Sequence, residues 1–464
     1  MNYGRKIIYT DATVITAENV IQEVDKAFAV HQQNHFDSEK LYKHYKGETD
    51  ILNKVKEIRE DINHMINENR AYEIVSFHKG YAFGEPIQYV RRENSKRKDT
   101  GDDKIAEDIN ALNGYMADAK KANCDNSLAE WLYVTGTSYR LTLPNPKWTA
   151  DGDEPPFLVY ALDPRNTFVV YSRKIGNEPM MAVHYVEQND GTRLYSVYTK
   201  DCYYEVAYGK SGVYSKPHVL GVIPIMEYPA DNSRLGVFEI VLPLLDALNE
   251  LQSNRMDDIV QFVNSFLAVL GGQLDEETHK KLNEYKMLCL PEGVDAKYLS
   301  VAMNQNDVQT FKDDIYQSIL TICGVPNRNG GSSTSDTGSA VIMRDGWETA
   351  EARAKATETI FKASEIEFLK LVLRILRDTT GTSLRITDID IQFTRRNYDN
   401  IATKSQVLIA MLNSGKIHPE LAFAACGMFP DPESAYLQSK AYYDEEMAKW
   451  NPVEVDEDED VPVS

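Results

Sequence analysis

Segment 221–272 constrains the fold of this chain more than any other. It reads GVIPIMEYPADNSRLGVFEIVLPLLDALNELQSNRMDDIVQFVNSFLAVLGG, with an Ile-Pro strand end, a polar turn and a long periodic stretch that stops at two glycines. Pro243 suits the first turn of a helix but not its interior, so we predict a helix from about Pro243 to Leu270. At 1.5 Å per residue this helix would be about 40 Å long.

Apolar side chains recur along this segment at intervals of three and four residues, before and after Arg255. They are Val241, Leu244, Leu248, Leu251, Met256, Ile259, Val263, Phe266 and Leu270. This spacing predicts a helix with one packed face and one wet face. By itself, the pattern also fits an ordinary core helix of a globular domain.

Length and composition indicate an ordered chain of several parts. At 464 residues the chain exceeds what one hydrophobic core usually serves, so we expect about three domains or layers. The fractions of 42% hydrophobic and 26% charged residues are those of an ordered, soluble protein. The start of the chain lacks the apolar run of a signal peptide, and no stretch is apolar enough for a membrane span. The 27 tyrosines fit subunit interfaces and tyrosine-rich strands equally well.

The elements predicted before segment 221–272 form a mixed α+β region. We expect helices over most of residues 1–75, with Gly47 ending one of them, strand structure over 77–90, and a helix over 103–129. Alternating segments over 131–228 predict a small twisted antiparallel sheet.

The elements predicted after that segment are mainly helical. We expect a compact insert over 271–303 with an amphipathic helix and two short strands, and then a helix over 306–323. A Gly/Ser-rich loop over 327–346 leads into a long helix over 347–377. One strand over 386–396, three short helices and an acidic tail over 451–464 complete the chain.

Motifs for catalysis or metal binding are weak. The sequence YGKSG at 208–212 contains the Gly-Lys-Ser of a phosphate-binding loop, but the first glycine of that motif would fall on Tyr204. His31 and His35 lie one helical turn apart, yet no supporting ligand pattern accompanies them, so we interpret them as solvated histidines. No GxSxG elbow occurs. We therefore predict no catalytic residues, no cofactor and no metal site.

Paired acids and cysteines give no site either. The adjacent acids Asp257 and Asp258, and likewise Asp313 and Asp314, would point to different helix faces and could not share a proton. The five cysteines are far apart and form no CxxC pair, so we expect reduced thiols at Cys124, Cys202, Cys289, Cys323 and Cys426.

Several short passages occur in one order along the chain. They are YKGETDILN at 45–53, NENRAYEIV at 67–75, GYAFGEPIQY at 80–89, IPIMEY followed by LLDALN with Ser253 and Asp257, ICGVPN at 322–327 and TGSA at 337–340. Together they resemble the portal proteins of tailed bacteriophages, most closely those of long-tailed phages of Gram-positive hosts. Each passage is short, but the ordered set extends over roughly residues 40–378.

The resemblance implies an α+β, mainly helical portal fold with wing, stem, clip and crown parts, assembled as a cyclic ring around a channel. The parts are a wing at 1–235, a first stem helix at 236–270, a clip at 271–303, a second stem helix at 304–326, a tunnel loop region at 327–346, a long wing helix and strand at 347–398, crown helices at 399–450 and an acidic disordered tail at 451–464.

Two sets of functional residues follow from the resemblance. The DNA-facing tunnel loop would comprise Arg328, Asn329, Gly330, Gly331, Ser332, Ser333, Thr334, Ser335 and Arg344. The clip would bind its partners through His279, Lys280, Lys281 and Glu284. Without the resemblance, the Gly/Ser-rich segment would be interpreted as a plain linker.

The function implied is a channel at one capsid vertex through which double-stranded DNA is packaged and later ejected. The resemblance implies a ring of twelve subunits that is assembled in the host cytoplasm and resides in the virion. Its partners would be the terminase large subunit, a head-tail adaptor, the scaffold and the major capsid protein. DNA would pass without sequence specificity, and no membrane would be involved.

The net charge of −21 does not separate this function from others. A protein that binds DNA by neutralising phosphates is expected to be basic, so this chain should not hold DNA tightly. An acidic wall would let DNA slide, but acidity also maintains solubility. The alternative is an accessory virion protein or a hydrolytic enzyme that uses an acidic metal site.

Overall fold

The computed structural model describes residues 3–57, 60–92, 102–207, 212–263, 266–270, 295–299, 305–327, 346–394, 401–429 and 432–450. The chain forms two compact units. Unit 1 contains residues 1–80, 126–142 and 160–368, and unit 2 contains residues 81–125, 143–159 and 369–464. The apolar requirement for a membrane-crossing helix is met by none of the helices in the described residues.

The α-helices of the described residues are numbered in chain order. They are α1 (Val20–Lys46), α2 (Arg70–Phe83), α3 (Asp102–Asp118), α4 (Lys121–Thr135), α5 (Leu242–Val263), α6 (Gln305–Cys323), α7 (Trp347–Thr379), α8 (Ile401–Asn413), α9 (Pro419–Cys426) and α10 (Pro432–Trp450).

The strands are numbered in the same way. They are β1 (Ile8–Thr10), β2 (Gln88–Arg91), β3 (Thr137–Pro144), β4 (Phe157–Leu162), β5 (Thr167–Ser172), β6 (Pro179–Glu187), β7 (Arg193–Tyr198), β8 (Cys202–Ala207), β9 (Val213–Pro217), β10 (Ile225–Pro229), β11 (Phe266–Leu270), β12 (Asp295–Leu299) and β13 (Ile389–Gln392).

The main sheet of unit 1 has six strands in the order β1-β5-β6-β7-β8-β9. β1 pairs with β5 in parallel, and the other neighbours are antiparallel. Helix α1 packs on one face, where Val24 and Phe28 join the buried side chains Phe168 and Val183. The antiparallel sheet predicted from the alternating segments is confirmed, and its strands alternate because one residue in two faces α1.

A second sheet, in the order β10-β3-β4, belongs largely to unit 1 and fixes helix α7 there. Arg140 on β3 is fully buried, and its guanidinium donates to the Glu365 carboxylate of α7 at 2.8 Å and to the Tyr228 hydroxyl at 2.8 Å. Tyr228 also donates to the Glu365 carboxylate at 2.9 Å. Breaking such a buried pair costs about 3–5 kcal/mol because one charge is left without its partner.

In unit 2, β2 pairs with β13 in an antiparallel ribbon. The Asn113 side chain of α3 receives the Tyr89 backbone N–H at 3.2 Å and donates to the Tyr89 carbonyl at 2.8 Å. This amide therefore completes the backbone hydrogen bonding of β2. The predicted strand over 386–396 is confirmed in its centre, as β13.

The N-terminal elements differ from the prediction in their bounds. Gly47 ends α1 with φ of 85°, as predicted, and the helix before it is a single helix of 27 residues. The prediction was wrong for 54–69, whose described residues lie outside α-helices, and for 77–83, which is helical and belongs to α2. The helix predicted over 103–129 is two helices, since Lys120 has a positive φ of 54° between α3 and α4.

The predicted C-terminal end of the long helix, Leu270, was also wrong. Helix α5 ends at Val263, and the apolar run FLAVL forms β11, paired antiparallel with β12 from Phe266↔Leu299 to Leu270↔Asp295. An apolar run of five residues fits a helix or a strand, and the partner strand some 30 residues later decides between them.

The remaining predicted helices are confirmed as α6 to α10, and β12 confirms the second strand of the 271–303 insert. The amphipathic helix and the first strand of that insert lie outside the described residues. Cys124, Cys323 and Cys426 are buried free thiols, and Cys202 is a half-buried free thiol. Cys289 lies outside the described residues.

Candidate functional site: the α5–α6 helix pair

Helices α5 and α6 of unit 1 form an antiparallel pair. The Arg255 guanidinium donates to the Gln309 side chain at 2.8 Å, and the Glu68 carboxylate accepts both Gln252 and Lys312. Thus, as residue numbers increase along α5 from 252 to 255, the residues that they meet on α6 decrease from 312 to 309, so the helices run in opposite directions. The β11–β12 ribbon follows α5 and precedes α6 along the chain.

An irregular segment, residues 60–69, lies along α5 and is called the strap. Three of its backbone N–H groups donate to three side chains of α5. His64 donates to the Asp257 carboxylate at 2.7 Å, Ile66 to the Ser253 hydroxyl at 2.9 Å and Glu68 to the Asn249 side-chain carbonyl at 3.0 Å.

The strap backbone can follow helix α5 because the two have similar repeat distances. Four residues of a helix rise about 6 Å, and two residues of an extended chain advance about 6.6 Å. Asn249, Ser253 and Asp257 are each four residues apart and are 5%, 0% and 2% exposed. They therefore accept alternate N–H groups of the strap, as a neighbouring β-strand would. This ladder explains why this part of the strap is not helical, since the N–H groups of His64, Ile66 and Glu68 are satisfied by side chains of α5.

Asp257 forms the charged end of the ladder. Burial alone would raise the pKa of its carboxyl, but hydrogen bonds from Lys56, from the backbone and ring of His64 and from Lys54 outweigh burial. They hold the pKa of Asp257 well below its ordinary value. The Lys54 ammonium lies 3.2 Å and the His64 Nδ1 lies 2.7 Å from this carboxylate. Asp258, the next residue, is exposed, so the two acids do point to different faces as predicted.

Glu68 connects the strap to both helices. Its carboxylate accepts the Gln252 amide of α5, the Lys312 ammonium of α6 at 2.8 Å and the Arg70 guanidinium at 2.8 Å. Burial would raise the pKa of Glu68, but the bonds from Lys312 and Arg70 lower it. Arg70 also lies 4.3 Å from the ring centroid of Tyr316 on α6. One carboxylate therefore fixes the spacing of the two helices.

In the helix pair, basic and acidic side chains occupy different positions: the basic ones bind other side chains of the unit, and the exposed ones are acidic. Arg255 and Lys312, the basic residues of α5 and α6, bind Gln309 and Glu68 within the unit. The exposed charged side chains of the described part of the two helices are acidic: Glu250, Asp258, Asp307, Asp313 and Asp314. The outer surface of the helix pair is therefore negatively charged.

The C-terminus of α6 is closed by the sequence ICGVPN. Gly324 has φ of +70°, and the Val325 N–H donates to the Leu320 carbonyl at 2.9 Å. Arg353 of α7 donates to the Ile322 carbonyl at 2.6 Å, and the ring of His78 donates to the Cys323 carbonyl at 2.9 Å. This motif is thus a helix C-cap with tertiary partners.

His78 acts here as a neutral donor. Burial lowers its pKa to about 4, against the opposing effect of its bond to the Cys323 carbonyl, and the nearby Arg353 lowers it further. The side chain of Arg353 also lies over Gly324, where a Cβ would approach Arg353 Cδ to 2.5 Å. The backbone angle favours glycine at this position, and a Cβ would also have to displace the Arg353 side chain.

The predicted functional residues of the tunnel loop and the clip lie outside the described residues. So do residues 208–211 of the YGKSG segment. The interpretation of His31 as a solvated residue was wrong, since it is 1% exposed and its Nε2 lies 2.9 Å from the Arg165 carbonyl, which His35 Nδ1 also contacts at 2.7 Å. Burial lowers the pKa of His31 to about 4. Within the described ranges, no cluster of His, Cys, Asp and Glu is arranged to hold a metal ion.

Sequence reasoning missed the strap, Asn249 and Glu68. Ser253 and Asp257 were noted as parts of a resembling passage, without a role. The available signal was the interval of four residues between Asn249, Ser253 and Asp257, a polar line along a helix that is otherwise apolar on its packed side.

In this site, buried polar groups position helices. A family model described as phage portal protein, SPP1 Gp6-like, matches residues 25–458. The chain belongs to this phage portal protein family, and it is therefore a structural protein of a phage particle. The portal family is non-enzymatic.

Solved structures with a similar course of the chain come from gene transfer agent (GTA) particles. One is the neck of an empty GTA particle computed with C6 symmetry, with TM-score 0.47 and 11% identity, covering 85% of this chain and 94% of that chain. Another is the virion of a native GTA particle, with TM-score 0.46, 12% identity and the same coverage. A third is the neck of a native GTA particle computed with C12 symmetry, with TM-score 0.45, 12% identity, and 85% and 94% coverage. A search among curated proteins found no match.

The ladder predicts a large effect of Asp257→Asn. The substitution leaves Lys54 and Lys56 without their carboxylate, so we expect a loss of about 3 kcal/mol in the free energy of unfolding at pH 7. A depressed pKa stabilises the fold above the unfolded value and loses that contribution as pH falls through the folded value. The variant should therefore lose less stability than the native chain on acidification below about pH 4. Denaturant unfolding at several pH values measures both effects.

Asp258→Asn is the matched control, because it removes the same charge one residue away at an exposed position. It should change stability by less than about 0.5 kcal/mol at any pH. Equal effects of the two substitutions would contradict the role of the ladder.

The cap of α6 predicts unequal costs for two glycine substitutions. Gly381→Ala meets only an unfavourable backbone angle, since Gly381 has φ of +69° and no described atom within 4 Å of the added Cβ. We expect it to cost about 1 kcal/mol. Gly324→Ala must in addition displace Arg353 from the Ile322 carbonyl, so it should cost about 2 kcal/mol. Thermal unfolding of both variants tests the difference, and equal costs would show that the Arg353 contact contributes nothing.

Proposed function

We propose that this portal protein forms a ring with a central channel at one capsid vertex, through which double-stranded DNA is packaged and later ejected. Helices α5 and α6 are the stem that lines the channel. Residues 1–235 and 347–398 form the wing, and 399–450 form the crown. The ring has twelve subunits, as the family resemblance implies, and belongs to a long-tailed phage of a Gram-positive host.

The observation that carries the proposal is the charge distribution on the helix pair. Every exposed charged side chain in the described part of α5 and α6 is acidic, and the basic side chains are held by Gln309 and Glu68. A duplex beside such a surface finds no cation to neutralise its phosphates, so it is repelled and does not bind. This is what a channel needs in order to pass DNA in both directions.

The metal-dependent alternative gains no support from the best acidic candidate. Asp257 already carries the bonds from Lys54, Lys56 and His64, so its charge is neutralised by protein groups. A hydrolytic site would need carboxylates open to a metal ion. We therefore propose a structural role without a cofactor.

Two segments are proposed to meet the partners of the channel. Residues 271–303, inserted between two antiparallel helices, are the clip, which binds the terminase large subunit and later the head-tail adaptor through His279, Lys280, Lys281 and Glu284. Residues 327–346 contain the loop that touches DNA, with Arg328 and Arg344 near its ends. Both flanks of this loop are held on α2, since His78 binds the Cys323 carbonyl and the Phe77 and Trp347 rings lie 6.0 Å apart.

The remaining partners are proposed from the family resemblance. The wing and crown face the scaffold during assembly and the major capsid protein in the finished head. Assembly takes place in the host cytoplasm, and the finished ring is part of the virion.

Ring formation is the direct test. The purified chain should give rings with an axial hole in negative-stain images, because a closed ring needs two complementary patches on each subunit. Native mass spectrometry should give twelve times the 52.6 kDa of one chain. Chains that stay monomeric at micromolar concentration in moderate salt, with no ring under any condition, would contradict the proposal.

A packaging assay with reconstituted heads separates the roles of the two segments. Rings that lack residues 330–335 should assemble and bind the packaging motor, but package less DNA or retain it poorly. Rings with Lys280→Glu and Lys281→Glu should assemble but bind the motor or adaptor weakly. Each variant is the control of the other. Normal packaging by the deletion rings would reduce the loop to a linker, and normal motor binding by the reversed-charge rings would exclude these lysines from the clip contact.

A further inference from the structure

Two buried histidines of helix α1 each have a ring nitrogen without a hydrogen-bond partner among the described residues. His31 is 1% and His44 is 3% exposed, and the nitrogens are Nδ1 of His31 and Nε2 of His44. Leaving a buried polar atom unpaired costs more than an ordinary hydrogen bond gains, so such atoms in folded proteins usually contact ordered water or a ligand. Each of these histidines lines a small cavity within unit 1.

The first cavity, called the Arg5 cavity, is lined by both Arg5 and His31. Arg5 is 6% exposed, and its Nη2 donates to the Glu239 carboxylate. Its Nε and Nη1 have no partner in the described part of the chain. The Nε2 of His31 contacts the Arg165 carbonyl, which can only accept, so Nε2 carries the ring hydrogen and Nδ1 is an acceptor. The residues around this cavity therefore offer two unpaired donors and one unpaired acceptor.

The second cavity, called the Thr49 cavity, lies where the end of α1 meets the strap and α5. Its lining includes His44, Thr49 and Asn249. The Thr49 hydroxyl is buried and, within the described ranges, has no partner, so it makes no direct bond to His44. Burial lowers the pKa of His44 against the opposing effect of Asp246, so the ring is neutral at pH 7. Its Nδ1 lies 3.9 Å from the Asp246 carboxylate, which favours the ring hydrogen on that side and leaves Nε2 as an acceptor.

The size and the chemistry of the Arg5 cavity restrict its occupant to water. The cavity leaves about 10 Å³ for the centre of a small molecule, and the Thr49 cavity leaves the same. By this measure a cavity needs roughly 10–15 Å³ to hold one water. The occupant must accept from Arg5 and donate to the neutral ring of His31. A chloride ion cannot donate, an ammonium ion cannot accept, and a metal ion would be repelled by the guanidinium, whereas water can do both.

The Thr49 cavity has the same requirement. The Nε2 of His44 needs a donor, and the Thr49 hydroxyl can donate or accept. Two amides of the strap that line this cavity are already used at the end of α1, since Asn67 donates to the Gly47 carbonyl at 2.6 Å and Asn69 donates to the Tyr45 carbonyl at 3.1 Å. A water in the cavity would extend this network between α1 and the strap.

We propose that unit 1 contains two specific water sites, one in each cavity. The first water accepts from Arg5 and donates to Nδ1 of His31. The second water joins Nε2 of His44 to the Thr49 hydroxyl. Each water is an integral part of the fold, because it pairs a buried nitrogen of α1 and connects this helix to a segment outside it.

A crystal structure of the full-length chain, at a resolution that shows ordered water, tests both sites directly. One water peak is expected in each cavity, within hydrogen-bonding distance of the unpaired atoms. Thr49→Val keeps the shape of the side chain and removes its hydroxyl, so the peak in the Thr49 cavity should weaken or vanish while the peak in the Arg5 cavity stays. Crystals grown with bromide in place of chloride distinguish an ion from water, since bound bromide gives an anomalous peak.

A double-mutant cycle tests the second water in solution. Hydrogen exchange of the backbone amides of residues 40–46, measured by mass spectrometry, reports how often this part of α1 opens. Thr49→Val should speed this exchange roughly tenfold, because the buried Nε2 of His44 loses its partner. In a His44→Phe background it should speed exchange by about twofold or less, because no ring nitrogen is left to pair. The Thr49 side chain makes no helix-cap bond that the substitution would also remove.

Two matched controls belong to the cycle. Thr49→Ser keeps the hydroxyl and removes a methyl group, so its effect should be the same with and without His44→Phe. His31→Phe changes the other cavity, so Thr49→Val should keep its full effect in that background.

Each outcome decides the proposal. Water peaks in both cavities, with a coupling that depends on the Thr49 hydroxyl, support it. Dry cavities, a direct bond between His44 and Thr49, or an anomalous bromide peak would overturn it. Additive effects of Thr49→Val and His44→Phe would overturn the second site. If the His44→Phe chain does not fold, the Thr49→Val crystal structure decides that site, and an unchanged water peak there would overturn the bridge.

Discussion

The helix pair depends on one geometric match: four residues of helix α5 rise by about the same distance as two residues of the strap advance. The strap advances two residues for every four residues of α5, so its N–H groups meet Asn249, Ser253 and Asp257 in turn. A hydrogen bond of this kind contributes only about 1 kcal/mol, but leaving the buried acceptors unpaired would cost more than making the bonds gains. The ladder therefore selects one register of the strap on α5.

The same segment then sets the position of α6. Glu68 donates its N–H to the ladder and uses its carboxylate to hold Gln252 and Lys312, so one residue touches both helices. At the far end of α6, Arg353 and His78 bind the last carbonyls. Helix α6 is thus held near its middle and at its C-terminus by side chains from outside the pair, and its direction does not depend on its own contacts with α5 alone.

This arrangement also keeps basic side chains off the outer surface of the helix pair, in a protein of net charge −21. A helix pair stabilised by salt bridges across its own surface would expose lysines or arginines next to the acids. Here Arg255 and Lys312 turn toward uncharged Gln309 and toward Glu68 of the strap, and the outer surface keeps its acids. The bonds that position the helices and the negative surface of the helices therefore have a common origin. If the helix pair lines a DNA channel, as we propose, a wall that holds its own shape while repelling phosphate is the property that DNA passage requires.

The amino-acid sequence predicted the helices with long periodic patterns and the sheet with alternating patterns, because both signals are local. It indicated that Gly47 ends α1, since a positive φ favours glycine. It also indicated the portal family through an ordered set of short passages. FLAVL is a strand because its partner lies some 30 residues away, and residues 60–69 are not helical because three of their N–H groups donate to side chains of α5, so both outcomes needed the folded chain. The burial of His31 was missed for the same reason, since the carbonyl that its ring contacts belongs to residue 165, far away in the sequence. A periodic pattern reports the structure that a segment forms with residues near it in sequence. Contacts between residues distant in sequence form only when the chain is folded.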